Sequence, residues 1–379
     1  MRDMPILRLS VLVLIVGFAV GGWRSWHSPH TDHLLPGDNL TRIELLTTAD
    51  KANWVRSQVF TFNEINYKKY QVTVHYVDSR AAMEKVLDGS EQPVLWSPES
   101  PTWIARANDV WQQRKGGPLV QVDDYTSYRV FLRSPLVFLT THEKAGYLRR
   151  YLSGSRPWAS LHDMSSGDLR PPWGRLRFSI SDPLRSNSGM ASLGMILVEY
   201  TRDHGGSLTG VASTPQFGAY LAKLNRGLVF DEPCRQGTAA LAAAYVRDVE
   251  SRDVIVTYEN IALSAARWNK TLEVIYPNPT ETADLSVCIV NGSWVTPQQR
   301  VGAQAFMAYI SRPESLQLGL RYNMRPAVPE SATTMETRLA HYQSQGFQQT
   351  YTTVEPPPYD ALNIAAGQWN RLALGRVRN

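Results

Sequence analysis

The sequence predicts an α/β protein whose two lobes face each other across a cleft, and three observations carry that reading. Strand and helix patterns alternate from Thr41 to Gln113, which calls for a parallel sheet with both faces covered. At 379 residues the chain exceeds what one ordinary hydrophobic core accommodates, so two lobes are the default. Two apolar strand patterns, Tyr128–Leu132 and Leu136–Thr140, are broken at Ser134-Pro135, where the chain crosses into a second series of elements.

The N-terminus predicts where the body resides. Arg2 and Arg8 precede an apolar run of 14 residues, Leu9–Gly22, too short for an ordinary membrane span and suited to an export signal. Ala19-Val20-Gly21 offers a small-residue cleavage site; a tilted, uncleaved anchor is the alternative, and no Cys lies nearby to carry a lipid. Either way the body is expected outside the cytoplasm, in the periplasm or at the cell surface. His27, His30 and His33 recur every third residue in the polar linker up to Asn39, but no second cluster completes a metal site, so they read as spacer. Residues 1–40 are thus set apart as signal or anchor plus linker, lobe one takes 41–132 and 286–379, and lobe two takes 133–285.

In lobe one, Thr41–Leu46 reads as a strand and Lys51–Glu64 as a helix with Trp54, Val55, Val59 and Phe62 on its buried side. Tyr70–Val77 alternates as a strand, and Asp78-Ser79 opens a helix through Ala81, Met83, Val86 and Leu87. Pro93–Trp96 is a short buried strand, and Ser100 before Pro101 caps a helix to Gln113. In lobe two, Arg177–Ile180 ends a strand that Asp182-Pro183 breaks. Ser186-Asn187-Ser188-Gly189 is a small polar turn opening onto the apolar helix that runs to Tyr200. Gly237-Thr238 starts a helix of small residues, and Asp253–Asn260 is a strand whose end meets a helix from Ile261 to Trp268. Leu272–Tyr276 and Leu285–Val290 return as strands, Thr296-Pro297 caps a helix to Ile310, Gly319–Pro326 is turn-rich, and a terminal helix passes through Trp369.

Charge and composition narrow the function. The net charge of +5 is modest and the basic residues are scattered, which argues against a nucleic-acid partner. The two cysteines, Cys234 and Cys288, form one disulfide in an oxidising compartment or stay separate thiols. The chain has no Gly-x-Ser-x-Gly elbow, no phosphate-binding glycine loop, no His-Glu-x-x-His and no Cys-x-x-Cys, so neither catalysis nor a cofactor is expected. What remains is a set of five strand-to-helix junctions with small hydroxyl or polar residues: Thr47-Thr48, Ser97 to Ser100, Ser186 to Ser188, Gly237-Thr238 and Tyr258 to Asn260. One such junction alone usually caps its own helix. In open parallel sheets, however, ligands bind beyond the carboxyl ends of the strands, where helix starts present free N–H groups.

The order of Val94–Ser100, Ser134–Val137, Ser181–Gly189, Val256–Asn260, Val274–Pro277 and Phe306–Pro326 resembles the bacterial extracellular solute-binding proteins of the type 2 periplasmic binding fold, over about Thr41 to Pro329. More closely it is similar to the branch partnered with von Willebrand factor A domains. The resemblance implies a hinge of two strands, closure on a small polar solute, and delivery to an ABC-type permease or a membrane sensor, with a von Willebrand A-domain protein as a further partner. By position, Thr47, Thr48, Ser97, Ser100, Ser186, Ser188, Thr238, Tyr258 and Glu259 would line the cleft. The alternative function is a membrane-anchored interaction module of the cell envelope that transports nothing.

Glu259 complicates the oxyanion chemistry of better-known relatives. Two unit charges at about 4 Å interact by roughly 4 kcal/mol at an effective dielectric near 20, so a cleft-facing carboxylate repels an anion. Three possibilities follow: a neutral or cationic solute, a bridging metal, or a Glu259 turned away to cap its helix or pair with Arg185 or Arg235. Asp182 reads best as an Asx-turn residue at Asp-Pro.

Overall fold

The computed structural model describes residues 40–328 and 338–377. The expected export segment and the three linker histidines lie outside the described residues. Among the described residues no helix is long and apolar enough to cross a membrane.

Strand β1 (Thr41–Thr47) leads through a 3-10 turn (Ala49–Lys51) into α1 (Ala52–Ile65), then β2 (Tyr70–Tyr76), α2 (Ser79–Asp88), β3 (Leu95–Ser97) and α3 (Pro101–Lys115). β1 pairs in parallel with β2 and β3, as the alternating pattern requires. Trp54, Val55, Val59 and Phe62 of α1 pack with Ile43, Leu45, Phe306 and Ile310 in one buried cluster.

The expected break at Ser134-Pro135 is absent: β4 (Tyr128–Thr141) is one strand of 14 residues. Its first half pairs antiparallel with β8 (Thr282–Ile289), down to Pro135 opposite Thr282. From Leu136 onward it pairs with β6 (Val254–Tyr258) and β7 (Leu272–Ile275). Pro135 has no N–H to give, and it sits where the strand changes partners, so the ladder loses little there. The nine strands run β2-β1-β3-β8-β4-β6-β5, with β7 and β9 (Arg325–Pro326) also on β4 and β5 at Phe178–Ser179.

After β4 come α4 (His142–Leu152), α5 (Pro157–Ser166), α6 (Asn187–His204), α7 (Leu208–Ala212), α8 (Pro215–Leu224), α9 (Glu232–Arg235), α10 (Thr238–Arg247) and α11 (Glu259–Trp268). Helix α12 (Pro297–Ile310) starts with a complete capping box between Thr296 and Gln299. The stretch Gly319–Pro326, expected to be turn-rich, opens on the last three residues of α13 (Pro313–Arg321). Gly319 lies inside it, where a Cβ would stand 2.5 Å from a methyl of the buried Leu132 and would have to displace that side chain as α13 closes on β4. The terminal helix α14 (Tyr359–Val377) packs on α6, α7 and α8 rather than on β1–β3.

Both cysteines are buried free thiols, which decides against the disulfide alternative. Cys234 donates to Asp231 at 3.2 Å and Cys288 to the carbonyl of Trp96 at 3.1 Å, in different parts of the core.

Glu281, just before β8, is only 5% exposed, and its Oε2 has no hydrogen-bond partner among the described residues. Burial first, then the Glu355 and Asp284 carboxylates, push its carboxyl up to about 8 from 4.5. Between those values the native state holds a proton that the unfolded chain has lost. Stability is therefore greatest below about pH 4.5 as far as this group is concerned, and falls as pH rises toward 8, by on the order of a few kcal/mol. Glu281→Gln is expected to flatten that decline and to raise the melting temperature at pH 8 by several degrees, on the order of 5 °C, as scanning calorimetry across pH would register.

Candidate functional site

The start of α6 is built by a turn that its sequence dictates. Asp182 accepts from Leu184 N through Oδ1 at 3.0 Å, the expected Asx turn, and its carbonyl accepts from Arg185 N and Ser186 N at 3.0 and 2.8 Å. The turn brings the helix start against its own backbone. A Cβ on Gly189 would lie 2.2 Å from the carbonyl oxygen of Ser181, so glycine is required there.

Ser186 occupies the N-cap position of α6, yet its side chain caps nothing. Its hydroxyl lies 3.1 Å from Ser188 Oγ and 3.0 Å from Thr238 Oγ1, while Ser188 Oγ and Thr238 Oγ1 are 2.8 Å apart. Thr238 arrives from the first position of α10, where Gly237 takes φ +100°, a conformation that L side chains rarely adopt. Two helix starts thus turn three hydroxyls toward one another instead of onto their own N–H groups.

Facing this ring is Asp50 of the 3-10 turn, whose carboxyl Thr238 hydrogen-bonds. Burial and the nearby Glu99 carboxylate hold the Asp50 carboxyl well above the usual carboxylate range. Thr48 donates its hydroxyl to Glu99, and Lys51 Nζ donates to the carbonyl of Pro98 at 3.1 Å. Burial lowers the Lys51 ammonium to about 8, although Glu99 and Asp50 pull the other way. On the far side, Trp103 Nε1 donates to Asn187 Oδ1 at 2.7 Å, and Asn187 Nδ2 donates to the Tyr258 hydroxyl at 2.6 Å. Burial, together with the Glu99 and Glu281 carboxylates, raises the Tyr258 phenol well above its ordinary value.

Of the nine expected residues, Ser186, Ser188 and Thr238 therefore form one hydrogen-bonded ring, while Thr48 pairs with Glu99 and Tyr258 with Asn187, the neighbour of Ser186 and Ser188 in the chain. Thr47, Ser97 and Ser100 do not, because their hydroxyls serve the backbone. Thr47 donates to the Ser97 carbonyl at 3.2 Å, Ser97 to the Ser286 carbonyl, and Ser100 caps α3 by accepting from Thr102 N at 3.3 Å. Glu259 is also corrected. It is wholly buried, its Oε2 accepts from Arg325 Nε at 2.7 Å, its Oε1 from Arg325 Nη2 at 2.5 Å, and Tyr276 donates to it as well. Neither Arg185 nor Arg235 is the partner, and both oxygens are taken. A buried carboxylate needs such a counter-ion, and the arginine fork supplies it in two bonds.

Sequence reasoning missed Asp50, Glu99, Lys51, Trp103 and Asn187. Asp50 and Glu99 lay within or beside junctions already singled out, and their acidity beside hydroxyls was the available signal. Trp103 carried none, since an aromatic on a helix is core by default. Among the described residues no three His, Cys, Asp or Glu side chains are grouped to hold a metal ion.

Comparison with known proteins agrees with this arrangement of strands and helix starts. The family model for bacterial extracellular solute-binding proteins matches residues 43–322. No curated protein matches the chain significantly. Among solved structures, the sulfate-binding protein SubI from Mycobacterium tuberculosis H37Rv is 18% identical, with a TM-score of 0.55 over 88% of this chain and 99% of its own. A putative spermidine/putrescine ABC transporter protein from Listeria monocytogenes is 11% identical, with a TM-score of 0.60 over 88% and 99%. The periplasmic binding protein AfuA from Actinobacillus pleuropneumoniae is 12% identical, with a TM-score of 0.54 over 89% and 98%. At these identities the likeness is one of fold, the two-lobed periplasmic binding architecture.

Proposed function

The chain belongs to the bacterial extracellular solute-binding proteins, and from that footing we propose that it captures a small polar solute between its lobes and passes it to an ABC-type permease. The observation that carries the site is the ring of Ser186, Ser188 and Thr238, three hydroxyls within 3.1 Å that leave their own helix starts uncapped. Hydroxyls facing one another can each give and take a hydrogen bond, which suits a polar guest. The solute's charge no longer turns on Glu259, which Arg325 neutralises. Burial raises the Asp50 and Glu99 carboxyls beside the ring toward their protonated form, in which each can give and take a hydrogen bond, so the site suits an uncharged polar solute.

We assign residues 41–132 and 286–321 to one lobe, with 133–285 as the other. The C-terminal stretch from Leu339 goes with the second lobe because α14 packs on α6, α7 and α8. Residues 1–40 act as the export signal or anchor that puts the body outside the cytoplasm, and the protein acts by binding rather than by catalysis. A von Willebrand A-domain protein is the additional partner to seek by co-purification from membranes.

A melting-temperature screen over sugars, amines, amino acids, metals and oxyanions tests the reading. A solute at 100 times its dissociation constant stabilises the native state by about 2.7 kcal/mol, a shift of roughly 4 °C for a body of this size. Ser186→Ala combined with Ser188→Ala is expected to remove that shift while leaving a cooperative melt. A shift that survives the double replacement, or a screen in which nothing moves the wild type, removes the solute from this site.

A further inference from the structure

The terminal helix touches both sides of the cleft. Its body is fixed to the second lobe: Ala361, Ala365, Ala366 and Trp369 are buried, and Gln368 Nε2 donates to the carbonyl of Thr214 at 3.2 Å. Gly194 of α6 permits the approach, since a Cβ there would lie 3.0 Å from Leu362. The first turn of α14 reaches over to α2 and α3 of the first lobe. Tyr359 meets Trp103 edge-on with ring centroids 6.0 Å apart, and the Arg106 guanidinium lies 5.0 Å over the same tyrosine ring. Arg106 also stands 3.9 Å from Asp360, and Arg80 Nη2 donates to Asn363 Oδ1 at 3.1 Å.

Trp103 links this outer contact to the cleft. One side of its indole faces Tyr359, while its N–H holds Asn187, and Asn187 in turn holds the Tyr258 hydroxyl. The chain Tyr359–Trp103–Asn187–Tyr258 therefore runs from the terminal helix, through the first lobe, to the second lobe's helix start and strand end. Asn187 is flanked by Ser186 and Ser188 of the hydroxyl ring.

From this juxtaposition, which rests on the two-lobed solute-binding reading, we propose that Trp103 and Asn187 are positioning residues that act only in the closed cleft, with the C-terminal helix as their outer anchor. A contact made in the closed arrangement and lost in the open one shifts the equilibrium between them by its own differential strength. The same contact sets the direction of Asn187, and through it the seat beside Ser186 and Ser188, so closure and the shape of the site are coupled.

X-ray scattering and amide hydrogen exchange on the full chain without added solute test the bridge. A compact body of this size has a radius of gyration of about 20 Å, and opening by a hinge raises it by about 1 Å. Tyr359→Ala is expected to produce that rise and to speed exchange of residues 186–190 by roughly tenfold. Trp103→Phe, which keeps a ring against Tyr359 but loses the donor, is expected to do the same, with a melting temperature lowered by a few degrees for the smaller buried ring and the unpaired Asn187 oxygen. Tyr359→Phe is expected to restore wild-type values. Arg106→Ala with Asn363→Ala weakens the anchor at the surface and keeps the test open should Tyr359→Ala not fold. Unchanged scattering and unchanged exchange at 186–190 in Trp103→Phe and in the Arg106/Asn363 pair overturn the bridge, as does a lowered melting temperature without opening. Because no solute is added, failure of the solute screen and failure of the bridge are separate results.

Discussion

Arg325→Met is expected to destabilise the protein by about 3–5 kcal/mol, because it strands the Glu259 carboxylate in the interior. Arg325 is itself buried, and it gives Glu259 two bonds, at 2.7 and 2.5 Å. It also donates to the carbonyls of Gln348 and Gln349 and lies 4.8 Å over the ring of Tyr351. One side chain thus ties the end of β6 to the segment that leads toward the terminal helix. Urea unfolding is the measurement, with the midpoint falling at an unchanged slope. Replacing both partners, Glu259→Leu with Arg325→Met, is expected to recover a good part of the loss, since no unpaired charge remains. If Glu259 bound solute directly, every variant lacking it would lose solute stabilisation. The expectation is that the folded fraction of the double variant retains it.

Gly189→Ala is expected to cost about 3 kcal/mol or more, at the top of the range for overpacking. The added Cβ would sit 2.2 Å from the Ser181 oxygen, 2.8 Å from its carbonyl carbon and 2.9 Å from the carbonyl carbon of Asp182. All three are backbone atoms held by the Asx turn, so no flexible side chain can give way. The start of α6 must move, and Ser186 and Ser188 move with it. Loss of solute stabilisation should therefore accompany the lower melting temperature, whereas Arg325→Met changes stability alone. Gly146→Ala in α4 is the control: a Cβ there meets nothing within 4 Å, and the helix interior favours alanine by about 0.5–1 kcal/mol.

Local signals in the sequence were reliable where one residue or one period decides the outcome. Apolar alternation placed β1 and β2, and Ser100-Pro101 and Thr296-Pro297 placed the starts of α3 and α12. The same logic failed at Pro135, where a proline that normally ends a strand sits at a change of partner, and at Gly319, where close packing rather than a turn explains the glycine. It failed again at Ser97 and Thr47, whose hydroxyls look like those of Ser186 and Ser188 in sequence but are spent on neighbouring strands.

By itself, then, the sequence determined the α/β class, the order of elements, the family and the helix starts from which a site could be built. Each of those follows from residues near one another in the chain. Which hydroxyls meet, and what faces them, was decided only by the tertiary structure. Ser186 and Thr238 are 3.0 Å apart although 52 positions separate them, and the Glu259 carboxylate is claimed by Arg325, 66 positions away. A polar side chain hydrogen-bonds with whatever the fold brings within about 3 Å, so its role is fixed by distant segments that carry no local mark of the encounter.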